Sequence, residues 1–214
     1  MDEKIAENQA RINMYAFLSR LLVEEIDEEL LDKIKYTPEL LELFPNTKEW
    51  ETFKTKTTKQ LIDEDLNVDY TTVFILNAYP YQSVFMNDEG HINPTPTNPT
   101  LQFYLENGYE IDLNKTRVLS PDHIAIELEF MITLIKEQLT AYSINNPEEE
   151  KKYLQLQKRF MEEHLLQWAP IYLLAARDMA ETPFYYDVCQ TTLEFIMSDY
   201  EYILQQLEEF ENVS

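Results

Sequence analysis

The stretch SPDHIAIELEFM, residues 120–131, decides how the centre of this chain is read. Ser120 is a good N-cap, and Pro121 suits the first helical position, where its missing N–H is no loss. Asp122 favours the positive end of a helix dipole. Beyond it Ile124, Leu128, Met131, Ile132, Ile135 and Leu139 recur at three- and four-residue spacing, which predicts one apolar helical stripe. His123 and Glu127 stand four apart, on a neighbouring face and within reach of each other. The chain has only three histidines, so this one asks whether the segment is a metal site, an acid/base site or a helix start put to another use.

Working outward, the same periodicity recurs. Met14, Phe17, Leu18, Leu21, Leu22 and Ile26 predict a first amphipathic helix. Thr37-Pro38, Asn146-Pro147 and Thr182-Pro183 read as an N-cap followed by a first-turn proline. The helix from Asn146 is expected to run to about Trp168, where Pro170 ends or kinks it. A last long helix spans roughly 183–210, with Tyr186, Cys189, Leu193, Ile196, Met197, Tyr200, Ile203, Leu204 and Leu207 as its apolar positions. The exception is NAYPYQSVFMNDEGHINPTPTNPT, residues 77–100, whose four prolines and one glycine exclude helix over most of its length. Thr100 then opens a short helix closed by Gly108.

Composition agrees with an all-α reading. The 214 residues hold only two glycines, too few for a hairpin-rich β protein or a phosphate-cradling loop. With 44% hydrophobic and 13% aromatic residues the chain can bury a core, and residues 1–214 are expected to form one domain. The expected architecture is a single-domain bundle of roughly eight to ten helices with a long proline-rich central loop. Forty acidic against 17 basic residues give a net charge of −23. Such a surface repels nucleic acid and anionic headgroups and attracts basic partners. A solvated acidic coat explains the same charge without a partner. No segment reaches the length of a membrane span, so insertion is not expected and the cytoplasm is the expected location. Cys189, the sole cysteine, reads as a small core residue.

The available chemistry is sparse. A metal centre needs three or four convergent ligands, and His123 with Glu127 supplies two. No nucleotide or nucleophile motif is present. His164, beside Leu165 and Leu166, reads as a structural histidine. A metal-dependent hydrolase or metal-binding protein using His123 and Glu127 remains the alternative, and an acidic interaction module is a third reading.

Four ordered blocks carry a resemblance. DYTTVFILNAYPYQSVF at 69–85 looks like an aromatic helix end followed by a Pro-x-x-Ser-hydrophobic-aromatic loop. PDHIAIELEFMITLI at 121–135, FMEEHLLQWAP at 160–170 and TPFYYDVCQTTLEFI at 182–196 follow in order. Together they resemble the TorD-like family, cytoplasmic maturation chaperones of molybdenum and tungsten oxidoreductases. Gln82 stands where some relatives have Glu or Gly, and Ser120 where an acidic residue often precedes Pro-Asp-His. The resemblance implies a non-enzymatic chaperone, without a cofactor of its own, that is a monomer or dimer. Its partner would be the twin-arginine leader, or the apo form, of a molybdopterin-containing oxidoreductase. By matching position Tyr70, Val73 and Phe74 would be apolar lining and Pro80, Tyr81 and Ser83 a loop wall. Asp122 and His123 would form the polar end, with Glu127 orienting His123. A leader joins arginines to an apolar stretch, so carboxylates beside an apolar trough suit it.

Overall fold

The computed structural model describes residues 3–87, 90–111 and 118–212 of the chain. Among them 79% are helical and no strand occurs, as the composition predicts. The α-helices in order are α1 (Glu3–Val23), α2 (Glu28–Tyr36), α3 (Pro38–Leu41), α4 (Pro45–Glu49), α5 (Glu51–Thr55), α6 (Thr58–Leu61) and α7 (Asn67–Tyr70). They continue with α8 (Gln82–Met86), α9 (Pro99–Glu106), α10 (Ile124–Ser143), α11 (Pro147–Phe160), α12 (Leu166–Met179) and α13 (Pro183–Asn212). Of three π-helical turns, Ile62–Leu66 joins α6 to α7 and Met161–Leu165 joins α11 to α12 without a break, while Thr71–Asn77 prolongs α7. Counted as continuous rods, the described residues form eleven helices, close to the number expected.

The chain divides into two compact units, with boundaries inside α12 and α13. The first comprises Met1–Val23, Tyr81–Ala169 and Ile196–Ser214. At its centre α10 packs on α1 along one side and on α11 along another. That is why Ala125, Ile126, Phe130 and Leu134 are buried together with Ile124, Leu128, Met131 and Ile135. A helix covered on both sides needs more than the single stripe its spacing predicts. Phe103, Tyr104, Phe130 and Phe160 form an aromatic core between α9, α10 and α11, with ring centroids 4.7–5.9 Å apart.

The second unit comprises Glu24–Pro80 and Pro170–Phe195. Two buried carboxylates tie its α13 segment to earlier helices. Asp69 accepts from the backbone N–H groups of Glu181 (3.0 Å) and Thr182 (2.8 Å), and Asp187 accepts from the N–H of Thr47 (2.7 Å). Each satisfies N–H groups near a helix start that would otherwise lack partners. Ile26 is buried but lies outside α1, because Asp27 stops the chain to cap α2, accepting from the Leu30 N–H at 2.8 Å.

Pro170 does not end the helix that it was expected to end or kink: α12 runs through it to Met179. A proline clashes with the carbonyl four residues earlier. That residue, Leu166, follows the π turn with ψ at −10°, so its carbonyl is turned from the regular helical direction. On α13 the buried face is Phe184, Tyr185, Val188, Cys189, Thr192, Ile196, Asp199 and Ile203, while Tyr186 and Met197 are exposed. The central loop is interrupted by the five residues of α8, and residues 90–98 carry no helix.

Gly108 ends α9 as expected, although the helix starts at Pro99 with Asn98 as its cap. Its φ is +75°, with Gly108 N–H donating to Leu105 O and Tyr109 N–H to Tyr104 O. That is the Schellman arrangement, in which glycine alone avoids steric cost. Gly108→Ala is expected to destabilise the protein by about 1–2 kcal/mol in urea melts, although the added methyl meets open space. A neutral result would mean that the turn relaxes.

Candidate binding surface

The helix α10 begins at Ile124 and its N-cap is His123, not Ser120. Asp122 and Ser120 are engaged elsewhere. The Asp122 carboxylate, 1% exposed, accepts from the Ser83 N–H at 2.6 Å and from the Ser120 hydroxyl. Its carbonyl accepts from the Gln82 N–H at 3.0 Å. The Ser83 hydroxyl accepts from the Asn93 N–H at 2.9 Å, and Asn98 donates to the Asn93 carbonyl at 2.8 Å. A closed polar ring thus fastens both ends of the proline-rich loop to the approach to α10.

His123 has extended backbone angles (φ −71°, ψ 136°), which take its side chain off the helical i, i+4 face. Its Nδ1 accepts from the Ala125 N–H at 3.1 Å and therefore carries no proton. Burial lowers its pKa to about 3, so the ring is neutral. The expected His123–Glu127 pair does not form. Glu127 is fully buried and instead accepts from the Trp168 indole N–H, 3.2 Å from each oxygen. Burial raises its pKa well above the ordinary carboxylate value, which favours the neutral acid. Glu127 therefore orients Trp168. Among the described residues no group of three or more His, Cys, Asp or Glu could hold a metal ion.

The Tyr81 ring meets His123 edge-on at 5.0 Å, and its hydroxyl accepts from the Leu119 N–H at 3.1 Å. His164 is buried between Phe103 and Phe160, with Nδ1 3.2 Å from Gln82 Oε1. Burial, with Arg159 nearby, lowers its pKa to about 4. It is a packing residue.

In the second unit Tyr70, Val73 and Phe74 are also buried, as is Pro80. Tyr70, Phe74 and Tyr185 form an aromatic cluster with centroids 5.1–5.7 Å apart. None of the three forms an open apolar lining; they are core, because the π turn Thr71–Asn77 faces Val73 and Phe74 inward. Their exposed neighbours are Ile75, Leu76 and Tyr79.

In the first unit the exposed neighbours of the motif residues are Phe85, Met86 and Leu119, at 38%, 52% and 66%. Phe85 rests on the buried Trp168, with centroids 5.6 Å apart. The sequence reading missed these three, yet a compositional sign points to them. Between Lys59 and Lys115 there are 55 residues without a lysine or arginine, against nine carboxylates. No lysine or arginine occurs in residues 118–135 either.

These features define an all-helical protein in which His123 and His164 are buried and neutral, with no metal-ligand cluster among its described residues. The chain belongs to the nitrate reductase delta subunit family, whose model matches residues 40–172, more than half its length. Within it the relatives are chaperones. The chain is 26% identical to chaperone protein TorD of Vibrio atlanticus and 28% to that of Photobacterium profundum. It is 27% identical to that of Aliivibrio salmonicida, and each match covers 95% of this chain and 99% of the relative. No solved structure matches. The chain is a TorD-like chaperone and not an enzyme.

Proposed function

We propose that this chaperone matures a redox enzyme in the cytoplasm. It binds the twin-arginine leader, or another part of the apo form, of a molybdopterin-containing oxidoreductase and holds it until the cofactor is inserted. The observation that carries the reading is the run between Lys59 and Lys115, free of cationic side chains yet bearing Ile75, Leu76, Tyr79, Phe85 and Met86 exposed. Carboxylates beside uncovered apolar groups suit a partner that joins arginines to an apolar stretch. In one unit Tyr70, Val73, Phe74 and Pro80 serve as the frame of the exposed Ile75, Leu76 and Tyr79. In the other, Tyr81, Ser83, Asp122 and His123 serve as the frame of the exposed Phe85, Met86 and Leu119. Among the described residues no helix is long and apolar enough to cross a membrane.

Calorimetry with leader peptides from oxidoreductases of the same genome tests this. Binding is expected at micromolar Kd or tighter, about 8 kcal/mol or more, weakening as salt rises. Binding of the apo-enzyme but of no leader would shift the contact to the mature region. Binding of neither rejects the proposal.

A further inference from the structure

We propose that a cavity between α9 and the π-helical turn Met161–Leu165 binds a small organic cation rich in N–H donors, with His164 Nε2 among its acceptors. The site does not depend on which client the chaperone takes. The cavity holds about 320 Å³, within the range of small-molecule sites, and lies wholly in the first unit. Gln102, Glu106, Arg159, Glu163 and His164 form its polar lining, beside Phe103.

Packing accounts for one edge of the His164 ring only. Nδ1 lies 3.2 Å from Gln82 Oε1 and 3.3 Å from Thr100 Oγ1, and the Thr100 hydroxyl donates to Gln82 Oε1 at 2.5 Å. A carbonyl oxygen only accepts, and a hydroxyl whose proton is engaged can only accept too. Nδ1 is therefore the protonated nitrogen, and the neutral ring carries a bare lone pair on Nε2. Gln82 and Thr100 do not line the cavity, so it is the opposite edge of the ring that meets it. Among the described residues nothing donates to Nε2. At 6% exposure His164 thus holds a buried acceptor without a donor.

The rim selects the sign of the ligand. Glu106 has no ion pair among the described residues, and Glu163 meets Arg159 at 3.5 Å. Arg159 also lies over the Phe103 ring, 4.5 Å from its centroid. The lining therefore sets two carboxylates, an amide and an imidazole lone pair against one cation that is already engaged twice. Such a set of acceptors suits a guanidinium or a primary ammonium, each with several N–H donors, and disfavours an anion. A metal ion is a poorer match, because no group of three or more His, Cys, Asp or Glu among the described residues could hold one. Local π turns within helices are frequent at functional sites, and this one leaves Glu163 exposed and His164 buried at consecutive positions.

The test is nuclear magnetic resonance on the full chain carrying isotope-labelled histidine, of which there are three. In the free protein His164 is expected as the Nδ1–H tautomer. His123, whose Nδ1 accepts from the Ala125 N–H, is expected as the Nε2–H tautomer. Agmatine, which joins a guanidinium to a primary amine, is then titrated in. It is expected to shift His164 Nε2 and leave His123 unmoved, with a Kd of about 1 mM or tighter. Glu106→Gln/Glu163→Gln is expected to weaken binding roughly tenfold or more with an unchanged melting temperature. Glu208→Gln/Glu211→Gln, which removes the same charge near the end of α13, should bind within about threefold of the parent. Equal loss in the two double variants would mean attraction to the acidic coat and would overturn the site. A free His164 with its proton on Nε2, or no shift at about 10 mM agmatine, overturns it as well. So does zinc sulfate that binds at His164 stoichiometrically and displaces agmatine, which would make this a metal site.

Discussion

Replacing Asp199 by alanine is expected to destabilise the protein by about 3–5 kcal/mol, the largest effect of any single surface-distant substitution considered. Asp199 on α13 pairs with Arg11 on α1, Oδ1 lying 2.5 Å from Nε and Oδ2 3.0 Å from the second terminal nitrogen. It also accepts from the Tyr15 hydroxyl at 2.7 Å. Arg11 reaches on to Asn8 (2.8 Å) and to Gln157 (2.7 Å) on α11, and Gln157 donates to Gln138 (2.8 Å) on α10. Three helices thus meet at one buried guanidinium, and a fourth joins through Gln157. Removing the carboxylate leaves that charge in a low-dielectric site without its counter-ion, which is the expensive way to break a buried pair. Removing both charges together should be far milder. Arg11→Met/Asp199→Leu is expected to recover most of the loss, measured by urea melts at pH 7. A single-variant loss below about 1 kcal/mol would mean that water reaches Arg11 readily.

Glu127→Gln is expected to act in the opposite direction, stabilising the protein at pH 7 by about 1–3 kcal/mol. Burial holds the folded-state pKa of Glu127 well above the ordinary 4.5. Above that pH the folded state keeps a proton that the unfolded chain has released. Stability therefore falls as pH rises, by about 1.4 kcal/mol per unit, until the folded pKa is passed. Glutamine keeps an acceptor for Trp168 and has no proton to hold, so its advantage should vanish near pH 4.5 and grow above it. His123 contributes the reverse slope. Its folded pKa of about 3 lies below the unfolded value, so the folded state holds fewer protons. That contribution is complete above about pH 6.5 and is lost as pH falls toward 3. The parent should then lose stability steeply in acid, and a set of melts from pH 4 to 8 on both proteins separates the two slopes. A Glu127→Gln protein less stable than the parent at pH 8 would show that the acid's O–H makes a bond worth more than its desolvation.

The helical class was legible because its causes are local. Two glycines, threonine and asparagine before proline, and three-to-four-residue apolar spacing act within a few residues of one another. What was not legible depends on partners distant in sequence. Ser120 reads as an N-cap until Asn93 and Asp122 are seen to engage its hydroxyl. Glu127 reads as a partner for His123 until Trp168, 41 residues on, takes it. Pro170 reads as a stop until the π turn before it turns the carbonyl it would strike. The motif residues were found as a set, but burial cannot be read from a motif. Tyr70, Val73, Phe74 and Asp122 are buried, and the side chains that face outward, such as Ile75, Leu76, Phe85 and Met86, lie between or beside the motif positions.

Cys189 lies fully buried in the second turn of α13, and burial pushes its thiol far above the ordinary range, so at neutral pH it is an unreactive thiol. The native chain is therefore chemically silent toward maleimides and thiol-disulfide exchange while it stays folded. A cysteine placed at an exposed position such as Met86 would be the single site that takes a fluorophore or spin label, with no need to remove the native one. Labelling of the unaltered protein would in turn report transient opening around α13, turning one silent sulfur into a clock for local unfolding.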